Sequence, residues 1–462
     1  MDKKAYRTVY FLGIGGIGMS ALARYFHQSG ATVSGYDKTP TPLTRELIDE
    51  GISVHYEDNP ELIPENPDLI VYTPALPKDH KELQFVLQKG YPLKKRSEVL
   101  GMITRDTKTI AVAGTHGKTT ITTMIAHILK TGGLNIVGFL GGISKNYHSN
   151  LVISGSPEEN PVSSPDYFVV EADEFDRSFL RLFPDTAVIT STDADHLDIY
   201  GNLKELKSSF EEFTSHIQDH GRLILKKGLG ILPAGSDNYT ISTYSVREEA
   251  GFSVKNVRLE QGCFVFDLVT PTALIQNIKL GLPGKFNLEN AIAASAVALM
   301  LGIPVDILKR SLKTFEGVQR RFDFQIIRDD FVYIDDYAHH PEELNACIRA
   351  VREIYPAKKV TGVFQPHLFT RTRDFADAFA KSLGLLDELY LLEIYPAREN
   401  PIEGVTSAML LDKVKMKDKM ICTKTGLLAM LKSRPPEVLL TLGAGDIDQL
   451  VQPIRDLFMN DH

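Results

Sequence analysis

Apolar residues along the first hundred positions come in strand-length runs separated by stretches with helical spacing. Val9–Leu12, Thr32–Tyr36 and Leu69–Tyr72 are short apolar runs, while Met19–Ser29 and Leu43–Glu50 repeat apolar residues every three or four positions. That alternation predicts α/β layering. A second series starts at Thr109–Ala113, followed by a helical segment from about Thr119 to Leu129 that Gly132-Gly133 terminates. Tyr167–Val170 and Ala187–Thr190 read as buried parallel strands, each ending in acidic residues. The pattern turns β-rich from about Ser236 to Leu280, and Asn287–Leu301 is Ala-rich and helical. A third series begins near Gly317, with Phe331–Ile334, Lys359–Phe364, Glu388–Leu392 and Val438–Leu442 as its strands. The chain therefore divides into three expected domains, 1–105, 106–317 and 318–462, with Arg96–Asp106 as the first junction.

Bulk properties change this picture little. A length of 462 residues fits three domains at roughly 150 residues each. A hydrophobic content of 43% with 24% charged residues is that of an ordinary folded protein, and no apolar run approaches the length of a spanning helix. Met1 leads almost directly into a strand-like stretch, so a cytoplasmic location with no membrane partner is expected. The net charge of −8 gives no support to a nucleic-acid partner. Cys263, Cys347 and Cys422 lie too far apart for a CxxC-type metal site or a disulfide framework. Oligomeric state leaves no signal.

Two glycine-rich loops carry the chemistry. Thr8–Leu12 leads into Gly13-Ile14-Gly15-Gly16-Ile17-Gly18 and then a helix, with Asp37 at the end of the next strand. Glycines there let backbone amides approach a diphosphate at a helix N-terminus. The motif alone leaves a nicotinamide or flavin cofactor and another nucleotide diphosphate both open. The second loop, Gly114-Thr115-His116-Gly117-Lys118-Thr119-Thr120, stands between a strand and a helix, although Val112 occupies the place of the first Walker glycine. Its Gly-Lys-Thr offers backbone amides, a lysine for the β- and γ-phosphates and a hydroxyl for Mg²⁺. The acidic strand ends, Glu171-Ala172-Asp173-Glu174 and Asp193-Ala194-Asp195-His196, supply hard oxygen donors and one imidazole. Mg²⁺ fits that set, and Mn²⁺ is an acceptable substitute. Their bland alternative is that of solvated strand termini and helix caps.

These residues resemble the Mur ligase family, which builds the peptide of bacterial cell-wall precursors. The resemblance runs over nearly the whole chain. Besides the two loops, the first extended to Met19-Ser20, it rests on Glu171-Ala172-Asp173-Glu174, Asp195-His196-Leu197-Asp198, Asn287-Leu288-Glu289-Asn290-Ala291 and Arg320-Arg321-Phe322-Asp323. Asp335-Asp336-Tyr337-Ala338-His339-His340-Pro341, Gln365-Pro366-His367 and Thr370-Arg371-Thr372-Arg373 complete it.

The resemblance implies a Rossmann-like N-terminal domain for a UDP-sugar, a central P-loop-type α/β domain for ATP and a Rossmann-like C-terminal domain for an amino acid. It implies UDP-N-acetylmuramate on Gly13, Gly15, Gly16, Ile17, Gly18, Asp37 and Thr73. ATP falls to Gly114, Thr115, His116, Gly117, Lys118, Thr119 and Thr120, with Asn287, Asn290 and Arg321 on adenine and phosphates and Asp336 on the ribose. Lys118 holds the transferring phosphate; Thr119, Glu171 and His196 serve the metal; His340, His367, Arg371 and Arg373 face L-alanine. Lys118, Glu171, His196 and His340 form the implied catalytic set.

The implied reaction is amide formation through an acyl phosphate, in which positioning and electrostatics dominate. Three residues depart from the family pattern. Phe286 stands where a histidine is common, Leu368 where an arginine is common, and Phe210 where sibling ligases carry a modified lysine, so no carbamoylated lysine is expected. A ligase that adds a whole tripeptide to the same sugar nucleotide is the nearest alternative, and the motifs favour single alanine. An NAD-dependent dehydrogenase built on the first loop leaves the second loop unexplained; a non-catalytic ATP-binding regulator is the third.

Overall fold

The computed structural model describes residues 6–155, 165–193, 197–260, 262–397 and 399–459. The chain folds as two compact units, Met1–Gly281 with Leu288–Glu316, and Leu282–Asn287 with Gly317–His462.

The first unit opens with five parallel strands in the order Ser53–His55, Thr32–Tyr36, Thr8–Leu12, Leu69–Tyr72, Leu93–Lys95. Val9, Tyr10, Phe11 and Leu12 are all fully buried, which is why the central strand reads as a continuous apolar run instead of an alternating one. The helix Ile17–Gln28 buries Met19, Leu22 and Phe26 against this sheet, and Pro42–Asp49 starts on a reciprocal Thr41–Thr44 capping box. Arg96–Asp106, read as a junction, is mostly the helix Arg96–Thr104. A Cβ on its Gly101 would lie 2.5 Å from the carbonyl oxygen of Arg181, so this helix packs tightly.

Seven strands follow in the order Thr240–Tyr244, Arg222–Lys226, Thr186–Ile189, Thr109–Ala113, Tyr167–Ala172, Ile136–Ser144, Ser149–Ile153. Only the last two pair antiparallel. Helix Lys118–Thr131 covers the sheet and ends at Gly132 and Gly133, the latter at φ +80°. Ser253–Glu260, Cys263–Val269 and Leu274–Lys279 form a separate antiparallel sheet.

The first helix also seats on the central sheet. Tyr25 packs on Phe139 and Phe168, with ring centroids 5.4 and 6.2 Å away. Beside it the buried Arg24 guanidinium donates to Glu50, Glu46 and Asn150 Oδ1, while Asn150 Nδ2 donates to the Ile17 carbonyl at 2.6 Å and to Ser20 Oγ at 2.8 Å. A charge can be this deeply buried because its donors are matched by acceptors.

In the second unit six strands run Asp323–Ile327, Val332–Asp336, Val438–Leu442, Val360–Phe364, Glu388–Leu391, Lys419–Ile421, with only the first antiparallel. Apolar residues cover both faces: Ile334, Phe364 and Leu440 on one, Tyr333, Val363 and Leu439 on the other. No described helix is long and apolar enough to cross a membrane.

Candidate functional site: two phosphate cradles

The first loop turns where the strand Thr8–Leu12 meets the helix Ile17–Gln28. Gly13 N and Ile14 N donate to the Tyr36 carbonyl, and Gly13 takes φ +88°, with room for a Cβ closed off by the Thr73 methyl at 2.6 Å. Asp37 Oδ2 accepts from Gly15 N at 2.7 Å, so this carboxylate braces the loop from below. A Cβ on Gly15 would fall 2.7 Å from Thr44 Cγ2 and 2.8 Å from Asp37 Oδ2. Gly16 is the N-cap and brings no side-chain cap to the helix N-terminus.

The second loop is tied to its neighbouring strand end. Ser191 Oγ accepts from His116 N at 2.7 Å and lies 3.0 Å from Thr115 Oγ1, and Thr190 Oγ1 donates to the His116 carbonyl. Gly114 at φ +134° lies so close to Thr190 that a Cβ would come within 2.1 Å of its hydroxyl. Gly117, at φ +79°, faces Asn290 Oδ1, which a Cβ would approach to 2.9 Å. Two of the expected ATP residues thus meet.

Lys118 Nζ donates to the Gly114 carbonyl at 2.7 Å and pairs with Glu174 at 2.8 Å. Burial opposes the ammonium charge, but Glu174, Glu171 and Asp173 together outweigh it and push the pKa up. Burial likewise raises the Glu174 carboxyl, with Lys118 acting against it. Glu174 lies within a recognised motif, yet no role fell to it from sequence, because only the fold shows its side chain buried against the lysine.

Glu171 is the penultimate residue of a strand that extends to Ala172, two residues beyond the expected run. Its Oε2 is buried without a hydrogen-bond partner, and a Cβ on Gly141 would fall 1.9 Å from that oxygen. A buried, unpartnered carboxylate oxygen near a lysine and the Thr119 hydroxyl-bearing turn fits a hard divalent cation. Among the described residues no three His, Cys, Asp or Glu side chains gather as a metal site. Asp195 and His196 lie outside the described residues. Phe210 is fully buried against Phe179 at 5.3 Å and fills core space.

In the second unit Asp336 accepts from Phe322 N and Ala338 N, both at 2.7 Å, through separate carboxylate oxygens. Burial lifts its pKa to about 7, with Arg321 and the two amides acting against it. Arg321 lies over the Tyr337 ring at 4.9 Å. Asn287 donates to the Pro283 carbonyl, and Phe286 sets its ring edge-on to Phe322 at 5.4 Å, an apolar wedge in place of an imidazole. His340 is the N-cap of Pro341–Ile354, buried against the Phe375 ring at 4.9 Å, and His367 stacks on Tyr395 at 5.7 Å.

Leu368, at φ +71°, starts the helix Phe369–Asp374, whose Thr370 amide donates to Glu399 at 2.9 Å. Arg371 is half-buried on that helix; Arg373 is exposed and pairs with its neighbour Asp374 at 2.7 Å.

Three mainly parallel sheets, two of them running into glycine-rich strand-to-helix loops, define an α/β protein of the nucleotide-using class. Family models match along the chain: the Mur ligase family catalytic domain over residues 8–108, the Mur ligase middle domain over 112–298 and the Mur ligase glutamate ligase domain over 320–445. The chain belongs to the Mur ligase family, with its three-domain α/β architecture.

It is 51% identical to the UDP-N-acetylmuramate–L-alanine ligase of Flavobacterium psychrophilum, across 98% of this chain and 99% of that one. The ligase of the same name from Parabacteroides distasonis is also 51% identical, across 99% and 98%. Among solved structures, the UDP-N-acetylmuramate-alanine ligase of Thermotoga maritima superposes with a TM-score of 0.83 at 27% identity, covering 98% of this chain and all of that one. Family membership retires the dehydrogenase alternative for the first loop.

Proposed function

We propose that this Mur ligase joins L-alanine to the lactyl carboxylate of UDP-N-acetylmuramate in an ATP-driven reaction, as a cytoplasmic step of peptidoglycan precursor synthesis. The observation that carries this reading is the pair of separate phosphate cradles, Gly13–Gly18 and Gly114–Thr120, in a chain half identical over its length to ligases of that specificity. We place the domain boundaries at 105/106 and 317/318.

In this reading the sugar nucleotide lies on Gly13–Gly18, Asp37 and Thr73, its diphosphate on the loop amides, while Asp37 also accepts from Gly15 N. ATP lies on Gly114–Thr120, with Asn287, Asn290, Arg321 and Asp336 on its nucleoside side. The lactyl carboxylate oxygen attacks the γ-phosphorus, the bond to ADP breaks, and an acyl phosphate forms. Lys118 moves its positive charge from Glu174 toward the transferring phosphoryl group. The amine of alanine, having lost a proton, then attacks the acyl carbon, and the tetrahedral intermediate expels inorganic phosphate. Thr119, Glu171 and His196 would hold Mg²⁺, or Mn²⁺ in its place, which when bound neutralises phosphate charge. His340, His367 and Arg371 serve the amino acid.

The test is phosphate release from ATP with each substrate omitted in turn. Release that requires both UDP-N-acetylmuramate and L-alanine is expected. Release with the tripeptide but not with alanine would transfer the assignment to the peptide-adding alternative.

Arg371 is the stronger candidate for the alanine carboxylate, because it is half-buried while Arg373 is exposed. A guanidinium binds a carboxylate through two parallel hydrogen bonds, which an ammonium lacks. Arg371→Lys is expected to raise KM for alanine about tenfold and leave KM for ATP within about twofold. Steady-state kinetics with each substrate varied decides this. An alanine KM that responds to Arg373 substitutions alone moves the clamp two residues along the chain.

A further inference from the structure

Outside both loops, the first residue of the helix Arg96–Thr104 occupies an unassigned position. The Arg96 guanidinium lies against Gly18: a Cβ there would come within 2.9 Å of both Cδ and Nη1. Its Nη2 stands 3.6 Å from Asp173 Oδ2, whose carboxylate also accepts from Phe175 N at 3.1 Å through Oδ1. Arg96 is only partly exposed, and the preceding Lys95 pairs with Asp176 at 3.2 Å, which fastens the start of the helix to the same acidic segment. One guanidinium thus touches the diphosphate loop on one side and, on the other, the acidic strand end that carries Glu171 and Glu174.

We propose that Arg96 binds the diphosphate of the sugar nucleotide as a side-chain clamp opposite the backbone amides of the first loop. The inference rests on the functional reading above. A diphosphate brings about two negative charges to that loop, and the amides with the helix terminus supply only about half a positive charge. The structure places Arg96 against Gly18, in the first turn of that helix. Its 3.6 Å contact to Asp173 is long for a charge-assisted hydrogen bond, so a phosphate oxygen offers a better partner at little loss.

The test uses the full chain and titration calorimetry with UDP-N-acetylmuramate and with uridine, which lacks the diphosphate. Arg96→Ala is expected to weaken UDP-N-acetylmuramate binding about ten- to a hundredfold, to leave uridine binding unchanged, and to keep KM for ATP within about twofold. Arg96→Lys, which retains the charge, should recover part of the loss. Equal weakening of uridine, or an equal rise in KM for ATP, would show a structural role and overturn the clamp. Wild-type binding that Arg96→Ala leaves intact overturns this inference alone. A wild-type chain that binds no UDP-N-acetylmuramate overturns the functional reading and the clamp together.

Discussion

Lys118→Ala is expected to lower the rate of ATP-dependent phosphate release by at least about a thousandfold while leaving UDP-N-acetylmuramate affinity within about twofold. The ammonium is a buried cation of the second loop, held between the Gly114 carbonyl and Glu174. Its removal strands Glu174 as a buried carboxylate with its main counter-charge gone. The variant should therefore also lose thermal stability, and Lys118→Ala with Glu174→Gln should recover stability without recovering turnover. Rapid-quench phosphate release, calorimetric binding of the sugar nucleotide and thermal melts make the three measurements. Equal loss of sugar-nucleotide binding would contradict the separation of the two cradles.

The second large effect is expected from Gly114→Ala. Its Cβ would lie 2.1 Å from Thr190 Oγ1 at φ +134°, a backbone region open to little but glycine. The loop must shift, and with it the Lys118 contact to the Gly114 carbonyl. A loss of about 3 kcal/mol in unfolding free energy is expected, together with a rise of more than about tenfold in KM for ATP. Gly15→Ala is the matched control: its Cβ would collide with Thr44 and Asp37 under the other loop, so KM should rise for the UDP-sugar and not for ATP. Denaturant titrations and steady-state kinetics on both variants check the crossed pattern. Identical kinetic defects in the two would refute it.

Both loops, and the strands that feed them, were legible because burial on both sheet faces writes itself as unbroken apolar runs such as Val9–Leu12 and Thr109–Ala113. Ser53–His55 and Leu93–Lys95 escaped: each has three residues, half-buried or exposed, too few for a period to show. The helix Arg96–Thr104 escaped for a related reason. Only Val99, Leu100 and the partly buried Ile103 join the core from it, too few for a clear stripe, and its closest approaches are Gly101 on the Arg181 carbonyl and Arg96 on Gly18. At the site, residue types at fixed spacing pointed to phosphate and metal chemistry. The partnership of Glu174 with Lys118 and the cover of Gly141 over Glu171 depend on which atoms are buried, and spacing carries no such information.

The Asn150 amide bears on how members of this family exchange parts. It belongs to an edge strand of the central sheet, yet its hydrogen bonds close on the Ile17 carbonyl, on Ser20 and on Arg24, all in the helix that follows the first loop. A chimaera that replaces the N-terminal sheet with that of a relative would leave this amide facing a foreign helix and would leave a donor-rich guanidinium, or its absence, in a buried seam. Such grafts should therefore retain more stability when position 150 travels with the transplanted helix.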